Sequence, residues 1–227
     1  MAVDNLPDDW HVFDDAEQLA QQVTLEILAE AKKAIEDRGA FHFITAGGTT
    51  PNRCYELLSK AKAYWSKWHI YMGDERVLHF NDSERNSQAL LKHWLNNNDI
   101  PAKNIHFINT EAGAEKSAKH YACLFDSVAE FDLCLLGMGE DGHTASLFPG
   151  NAALDDLRSA VPVYDAPKAP GERVSIGLTT LKNAAECIVI ATGENKREAL
   201  VKLKQGVELP VGLVGPDTWL GGEAAAS

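Results

Sequence analysis

The sequence predicts a doubly wound α/β fold, a mostly parallel sheet with helices on both faces in the Rossmann-like manner. Three observations carry that expectation. Short apolar runs alternate with longer amphipathic stretches along most of the chain, the pattern of strand–helix–strand units joined by right-handed crossovers. The run at residues 131–136 is apolar enough for a strand covered on both faces. Glycine-rich or charged turns recur where such strands end, on the edge where α/β sheets bind ligands.

The elements follow in order. Asp14 and Asp15 can cap a first helix whose Leu19, Val23, Ile27, Ala31 and Ile35 fall four apart and make one stripe. Gly39 is placed to end it. Phe41–Thr45 reads as a strand running into Gly47-Gly48-Thr49-Thr50-Pro51, and Pro51 suits the opening of a helix over residues 52–61. A strand at 69–72 ends at Gly73-Asp74-Glu75-Arg76. Asp82 and Ser83 can cap a helix that runs to Trp94. Residues 105–108 read as a short strand, 111–129 as a helix and 131–136 as the buried strand. Beyond a loop rich in Pro, Asp and Ala, residues 174–178 and 187–192 read as strands, 196–204 as a helix and 211–214 as a last apolar run. The Pro-rich stretch at 164–171 is the best boundary candidate but reads as a loop. Residues 1–227 are therefore expected to form a single α/β domain.

Composition removes several function classes. The 227 residues hold 21 Lys and Arg against 33 Asp and Glu, a net charge of −12. That balance argues against nucleic acid and against an anionic membrane surface as partners. The acidic N-terminus lacks the basic-then-apolar pattern of a signal peptide. No apolar run reaches the roughly 18 residues of a membrane span. A chain of this length can bury a full core without disulfides or a metal. Cys54, Cys123, Cys134 and Cys187 form no Cys-x-x-Cys pair, and the eight histidines show no metal spacing. Buried, reduced thiols are expected, with no metal and no cofactor. The expectation is a cytoplasmic protein, monomer or weak homodimer, whose partner is a small molecule.

Chemistry concentrates at four predicted strand ends. In Gly47-Gly48-Thr49-Thr50 the glycines allow close backbone approach, the hydroxyls add donors, and the helix that follows offers free N–H groups and a positive dipole end. The segment suits a phosphate cradle, with an ordinary strand-to-helix turn as the competing reading. Residues 137–142 satisfy Gly-x-Gly-x-x-Gly. Glu140 and Asp141, however, would set carboxylates where a pyrophosphate should lie, and Pro149-Gly150 would cut short the helix that fingerprint needs. A turn presenting His143 with Asp141 two residues away fits better, since imidazole can serve as a base near neutral pH and a carboxylate can orient it. At Gly73-Asp74-Glu75-Arg76, Arg76 could bind phosphate or sugar oxygens with Asp74 in support, or the charges could simply be solvated. Lys196 brings a cation to a helix opening after Gly193. Lys168 and Arg173 lie on a proline-stiffened loop that could close over a site or merely link elements. No Gly-x-Ser-x-Gly elbow and no activated cysteine pattern occurs, so a covalent nucleophile has little support.

In this order and spacing the segments resemble the 6-phosphogluconolactonase family, related in fold to the glucosamine-6-phosphate deaminases. The most specific part is Gly137-Met138-Gly139-Glu140-Asp141-Gly142-His143-Thr144-Ala145-Ser146-Leu147-Phe148-Pro149-Gly150, and the likeness spans residues 14–219. The resemblance implies an enzyme without metal or cofactor that opens 6-phospho-D-glucono-1,5-lactone to 6-phospho-D-gluconate in the oxidative pentose phosphate pathway. It implies His143 as the base that activates water, with Asp141 positioning it and Asp74 close by. It implies Gly47, Gly48, Thr49, Thr50 and Lys196 as the phosphate site, and Arg76 and Arg173 as further anchors for the anion. The deaminases are the rival reading. They typically carry Asn before the Gly-His pair, Asn-Glu-Pro after it, and Asp-Glu-Tyr at the earlier strand end. Here those places hold Asp141, Leu147-Phe148-Pro149 and Asp74-Glu75-Arg76, which favours the lactonase. Val77-Leu78-His79 departs from the lactonase pattern, in which proline is common after Asp-Glu-Arg.

Overall fold

In the computed structural model, residues 10–222 and Ala225 are described. The strands are β1 (Trp10–Phe13), β2 (Phe41–Thr45), β3 (Trp68–Met72), β4 (Asp74–Arg76), β5 (Ile105–His106), β6 (Leu133–Gly137), β7 (Ala160–Val163), β8 (Arg173–Ile176), β9 (Cys187–Ala191) and β10 (Thr218–Gly222). The α-helices are α1 (Ala16–Arg38), α2 (Thr49–Leu58), α3 (Asn86–His93), α4 (Ala114–Cys123), α5 (Leu178–Lys182), α6 (Arg197–Lys204) and α7 (Pro210–Val214). Seven strands make one sheet in the order β1-β10-β9-β6-β2-β3-β5, with every pair parallel. From β2 the chain builds outward to β3 and β5; from β6 it builds the other way, to β9 and β10. The direction therefore reverses between β2 and β6, and a crevice forms at their carboxyl ends.

Both faces of this sheet are covered. On one, Phe43 of β2 meets Trp94 after α3, which stacks on Tyr55 of α2 at 5.6 Å. On the other, Tyr71 of β3 meets Phe125 and Phe131, and Tyr121 of α4 packs on Phe125. Helix α1 starts where Asp15 accepts hydrogen bonds from the N–H groups of Glu17 and Gln18, both 2.8 Å, and stops at Gly39 with φ +83°. Leu19, Val23, Ile27 and Ala31 are buried, as their spacing predicts.

Several expectations are corrected. Gly73–Arg76 is more than a strand end: β4 pairs antiparallel with β8, and β8 with β7, in a second sheet of three strands. Residues 174–178 thus do not extend the parallel sheet. Gly73 welds the two sheets, its N–H donating to Thr45 O (2.9 Å) and its carbonyl accepting from Ile176 N–H (2.8 Å). A Cβ there would lie 2.8 Å from Thr45 O. The third helix begins at Asn86, not at Asp82 or Ser83, because the buried Glu75 carboxylate caps it. Residues 111–129 hold only a ten-residue α-helix followed by a 3-10 turn, Leu124–Ser127. Residues 211–214 are helical behind Pro210. Strands β1, β7 and β10 escape the sequence reading. Cys54, Cys134 and Cys187 are buried free thiols, whereas Cys123 is exposed. Among the described residues no helix is long and apolar enough to cross a membrane.

On the α4 side of the sheet, His42, His69 and His106 stack in a row across β2, β3 and β5, with centroids 4.7 and 5.6 Å apart. Burial pushes all three imidazoles below their usual range, and for His106 the neighbouring His69 and His42 add to it, down to about 4. The unfolded chain then binds more protons than the native one at acid pH. Stability is expected to be complete above about pH 6.5 and to fall as the pH drops towards about 4. Urea unfolding at about pH 7.5 and about pH 5 should show a large difference in the native protein and a smaller one in His106→Gln; equal differences in the two proteins contradict this.

Candidate active site

The reversal between β2 and β6 leaves two turns face to face, residues 46–50 and 137–143. Between them opens a cavity of about 240 Å³ whose wall includes Arg76, Lys168, Arg173 and Lys196 together with His143 and Asp74. A second hollow of about 250 Å³ adjoins it through Gly47, Gly48 and Lys196 and is lined by Thr49, Thr50 and Thr192. Helix α2 begins at Thr49, earlier than expected, so both threonines occupy its first turn, where the N–H groups have no partner within the helix. Thr50 Oγ1 and Thr192 Oγ1 lie 3.0 Å apart.

His143 is fixed by its own turn. Gly139 N–H donates to His143 O (2.8 Å), and Gly142 turns the chain with φ +80°. The imidazole lies directly over Gly139, where a Cβ would be 2.0 Å from Nδ1. Asp141 Oδ1 accepts both the His143 backbone N–H (3.1 Å) and ring Nδ1 (2.5 Å). Burial alone would raise the Asp141 carboxyl; the two bonds from His143 outweigh it and hold the group below its usual range. An ionised carboxylate only accepts, so the proton sits on Nδ1 and the lone pair on Nε2. Phe148 backs the ring at 4.5 Å. No helix follows Gly142; the next element is a 3-10 turn at Ala152–Leu154, so this is not a dinucleotide-binding turn.

A buried network supports the opposite wall. Glu75, fully inaccessible, accepts from the N–H groups of Arg76, Asn86 and Ser87 and pairs with Arg85 Nε at 3.3 Å. Arg85 is equally buried and donates to Thr110 Oγ1 (2.8 Å) and Ile108 O (2.7 Å). Asn86, so placed, donates to Asp74 Oδ1 (2.8 Å) and presses on Gly47, whose Cβ would sit 2.4 Å from Asn86 Oδ1. Ser146 donates to the other Asp74 oxygen.

Arg76 and Arg173 oppose each other across β4 and β8. Like charges placed so destabilise a sheet, and the buried Asp74 offsets only part of this. Arg173 donates to Lys168 O (2.9 Å) and Pro170 O (3.3 Å) and lies 5.5 Å over Phe148. Burial lowers its affinity for the proton, Asp74 restores some, and Arg76 lowers it again. Arg76 donates from Nη1 to Glu84 O, while its buried Nε has no partner among the described residues. Lys196 lies in the 3-10 turn Glu194–Lys196 just before α6; burial pushes its ammonium down, partly opposed by Glu140. Two guanidinia and two ammonium groups cluster on one small cavity, which suits an anion.

Of the residues predicted from sequence, Gly47, Gly48, Asp74, Arg76, His143, Arg173 and Lys196 line the cavity. Thr49 and Thr50 line the adjoining hollow. Asp141 stands behind His143. Sequence reading missed Asn86, Ser146 and Thr192. Asn86 was legible as a polar residue heading an apolar helix, but Asp82 and Ser83 offered a stronger-looking cap. Ser146 and Thr192 carry no pattern of their own.

This construction is that of an α/β enzyme handling a small anion beside an acid–base group. Residues 14–222 match the family described as glucosamine-6-phosphate isomerases/6-phosphogluconolactonase, and the chain belongs to that family. A 6-phosphogluconolactonase from Nostoc sp. is 35% identical over 186 residues, 78% of this chain and 77% of the relative. The 6-phosphogluconolactonase of Rattus norvegicus is 32% identical over 234 residues, 95% of this chain and 91% of its own length. Among solved structures, a 6-phosphogluconolactonase from Thermotoga maritima superposes with a TM-score of 0.87 at 24% identity, covering 94% of this chain and 98% of the other; at that identity the likeness speaks for the fold.

Two substitutions test this geometry. Gly139→Ala puts a methyl group into the imidazole and should cost about 10²-fold in turnover, the scale of an ångström-sized misplacement, with thermal unfolding near that of the native protein. Glu75→Gln leaves Arg85 without its partner in a dry interior and should cost about 3–5 kcal/mol in denaturant unfolding. A loss below about 1 kcal/mol, the surface-pair range, contradicts the buried-pair account.

Proposed function

We propose that the protein hydrolyses 6-phospho-D-glucono-1,5-lactone to 6-phospho-D-gluconate, the lactone-opening step of the oxidative pentose phosphate pathway. The observation that carries this reading is the Asp141–His143 pair opening on a cavity walled by Arg76, Lys168, Arg173 and Lys196. A δ-lactone is an ester held in the less stable cis geometry, so an oriented base and a water are enough chemistry, and the reading calls for no metal and no cofactor. His143 Nε2 takes a proton from water as its oxygen bonds to the lactone carbonyl carbon. The tetrahedral oxyanion then collapses, the bond from that carbon to the ring oxygen breaks, and the imidazolium returns its proton to the departing oxygen as a hydroxyl. The new carboxylic acid ionises. Asp141 stabilises the imidazolium between the two transfers.

The phosphate is proposed to sit at the N-terminus of α2, within the turn of Gly47, Gly48, Thr49 and Thr50 and beside Lys196, where dipole, hydroxyls and cation converge. Arg76 and Arg173 are proposed to hold the rest of the anion, with Asp74 setting the geometry of that wall. Binding the remote phosphate then places the carbonyl over His143. The deaminase alternative is weaker because Phe148 occupies the segment where those enzymes carry a carboxylate. Here an aromatic ring packs between His143 and Arg173. We further propose a small-molecule partner only, one functional domain acting as a monomer or weak homodimer, and a cytoplasmic setting, which the four unpaired cysteines support.

A coupled assay tests the reading, with glucose 6-phosphate oxidised in situ to supply lactone. The intact protein should open it faster than spontaneous hydrolysis. His143→Ala should lower kcat about 10²- to 10⁴-fold with KM little changed, and Lys196→Ala should mainly raise KM. No acceleration by the intact protein, or equal mild effects of both substitutions, overturns it.

A further inference from the structure

Glu140 is a carboxylate on the wall of a cavity suited to an anion, and neither the base nor its orientation uses it. Its Oε1 accepts a hydrogen bond from Asn195 Nδ2 (2.9 Å) and lies 3.7 Å from Lys168 Nζ. Lys196 feels the same charge. Asn195 first, and then Lys168, hold the Glu140 carboxyl below its usual range, so it is ionised at neutral pH. Three chain segments meet at this one oxygen: the β6 turn that carries His143, the β7–β8 loop that carries Lys168, and the β9–α6 turn that carries Asn195 and Lys196. Asp74, the other carboxylate of the wall, is buried and engaged by Asn86 and Ser146. Glu140 is different. Its side chain is 55% exposed.

The proposed reaction changes the charge of its ligand. The lactone carries only the phosphate charge; adding water across the ester and losing a proton leaves a product with a carboxylate as well. That carboxylate forms beside His143, whose ring lies over Gly139, the residue preceding Glu140. A pocket of cations alone would hold the more highly charged product better than the substrate and would be blocked by it. Discrimination needs a repulsive element as well as attractive ones.

We propose that Glu140 is a charge-selecting residue, whose half-exposed carboxylate beside the His143 turn repels the product, with its added carboxylate, more than the lactone. The proposal rests on the lactonase reading. Glu140 touches no reacting atom; it works through like-charge repulsion.

The test measures dissociation constants of 6-phosphogluconate and of inorganic phosphate by calorimetry on the full chain, with kcat and KM from the coupled assay. The variants are Glu140→Gln, Glu140→Asp and Asn195→Ala. Glu140→Gln should bind 6-phosphogluconate about three- to fivefold more tightly, the scale of a half-exposed charge pair, while phosphate binding and KM move less than about twofold. Glu140→Asp keeps the charge, and Asn195→Ala removes the hydrogen bond but not the charge. Both should keep the native ratio of the two dissociation constants. Equal tightening of both ligands in Glu140→Gln, no tightening, or an Asn195→Ala variant that reproduces Glu140→Gln overturns the role. A native protein that neither binds 6-phosphogluconate nor accelerates lactone opening overturns the lactonase reading itself. One that does both while Glu140→Gln leaves the ratio unchanged overturns the role of Glu140 alone.

Discussion

A single buried carboxylate, Glu75, fixes the wall of the cavity. It satisfies the first N–H groups of α3, and Arg85, equally buried, neutralises it. A charge in such surroundings is tolerable only with every acceptor site engaged. Because Glu75 belongs to β4 and its N–H donors to α3, the pairing locks the small antiparallel sheet to the helix beside it. Asn86 then reaches Asp74 on one side and Gly47 on the other. The turn at residues 46–50 and the arginine wall are thereby held at one spacing by a chain of contacts that involves no solvent-exposed group.

Electrostatics in this molecule run at two scales. The net charge of −12 repels anions at long range, but salt screens that field beyond about 8–10 Å. Inside the cavity the balance reverses, with Arg76 and Arg173 set opposite each other on neighbouring strands. That pairing costs stability in the empty protein and lowers the proton affinity of Arg173, which burial had already reduced. An arrangement that is unfavourable without a ligand and favourable with one is how a binding site stores selectivity for a charge.

The inner strands of the parallel sheet were legible because their signals are local, while β1 and β10 at one side of it were not. Helix α1 announces itself through a four-residue stripe and an αL glycine, and β6 through an unbroken apolar run. The second sheet was not, since its strands are three or four residues long and one of them, Asp74–Arg76, consists of charges. No periodicity exists over so short a span. Its pairing depends on contacts between residues a hundred positions apart in sequence. The site divides in the same way. His143, Asp141 and the glycines sit in contiguous segments whose residue types state their chemistry. Asn86, Ser146 and Thr192 gain theirs only by where the fold brings them.

The Gly-x-Gly-x-x-Gly turn shows how one pattern can serve two ends. In a dinucleotide site its glycines let a pyrophosphate approach the backbone. Here Gly139 makes room instead for the chain's own imidazole, 2.0 Å from where a Cβ would stand, and Gly142 takes the left-handed turn that returns the chain beneath it. One of the two acidic residues that disqualify the turn for pyrophosphate, Asp141, becomes useful once the occupant is a histidine. It faces Nδ1 and holds the ring in place. Asp141 thus both excludes one ligand and orients an imidazole. In this turn the carboxylate between the glycines decides that the occupant is an imidazole and not a pyrophosphate.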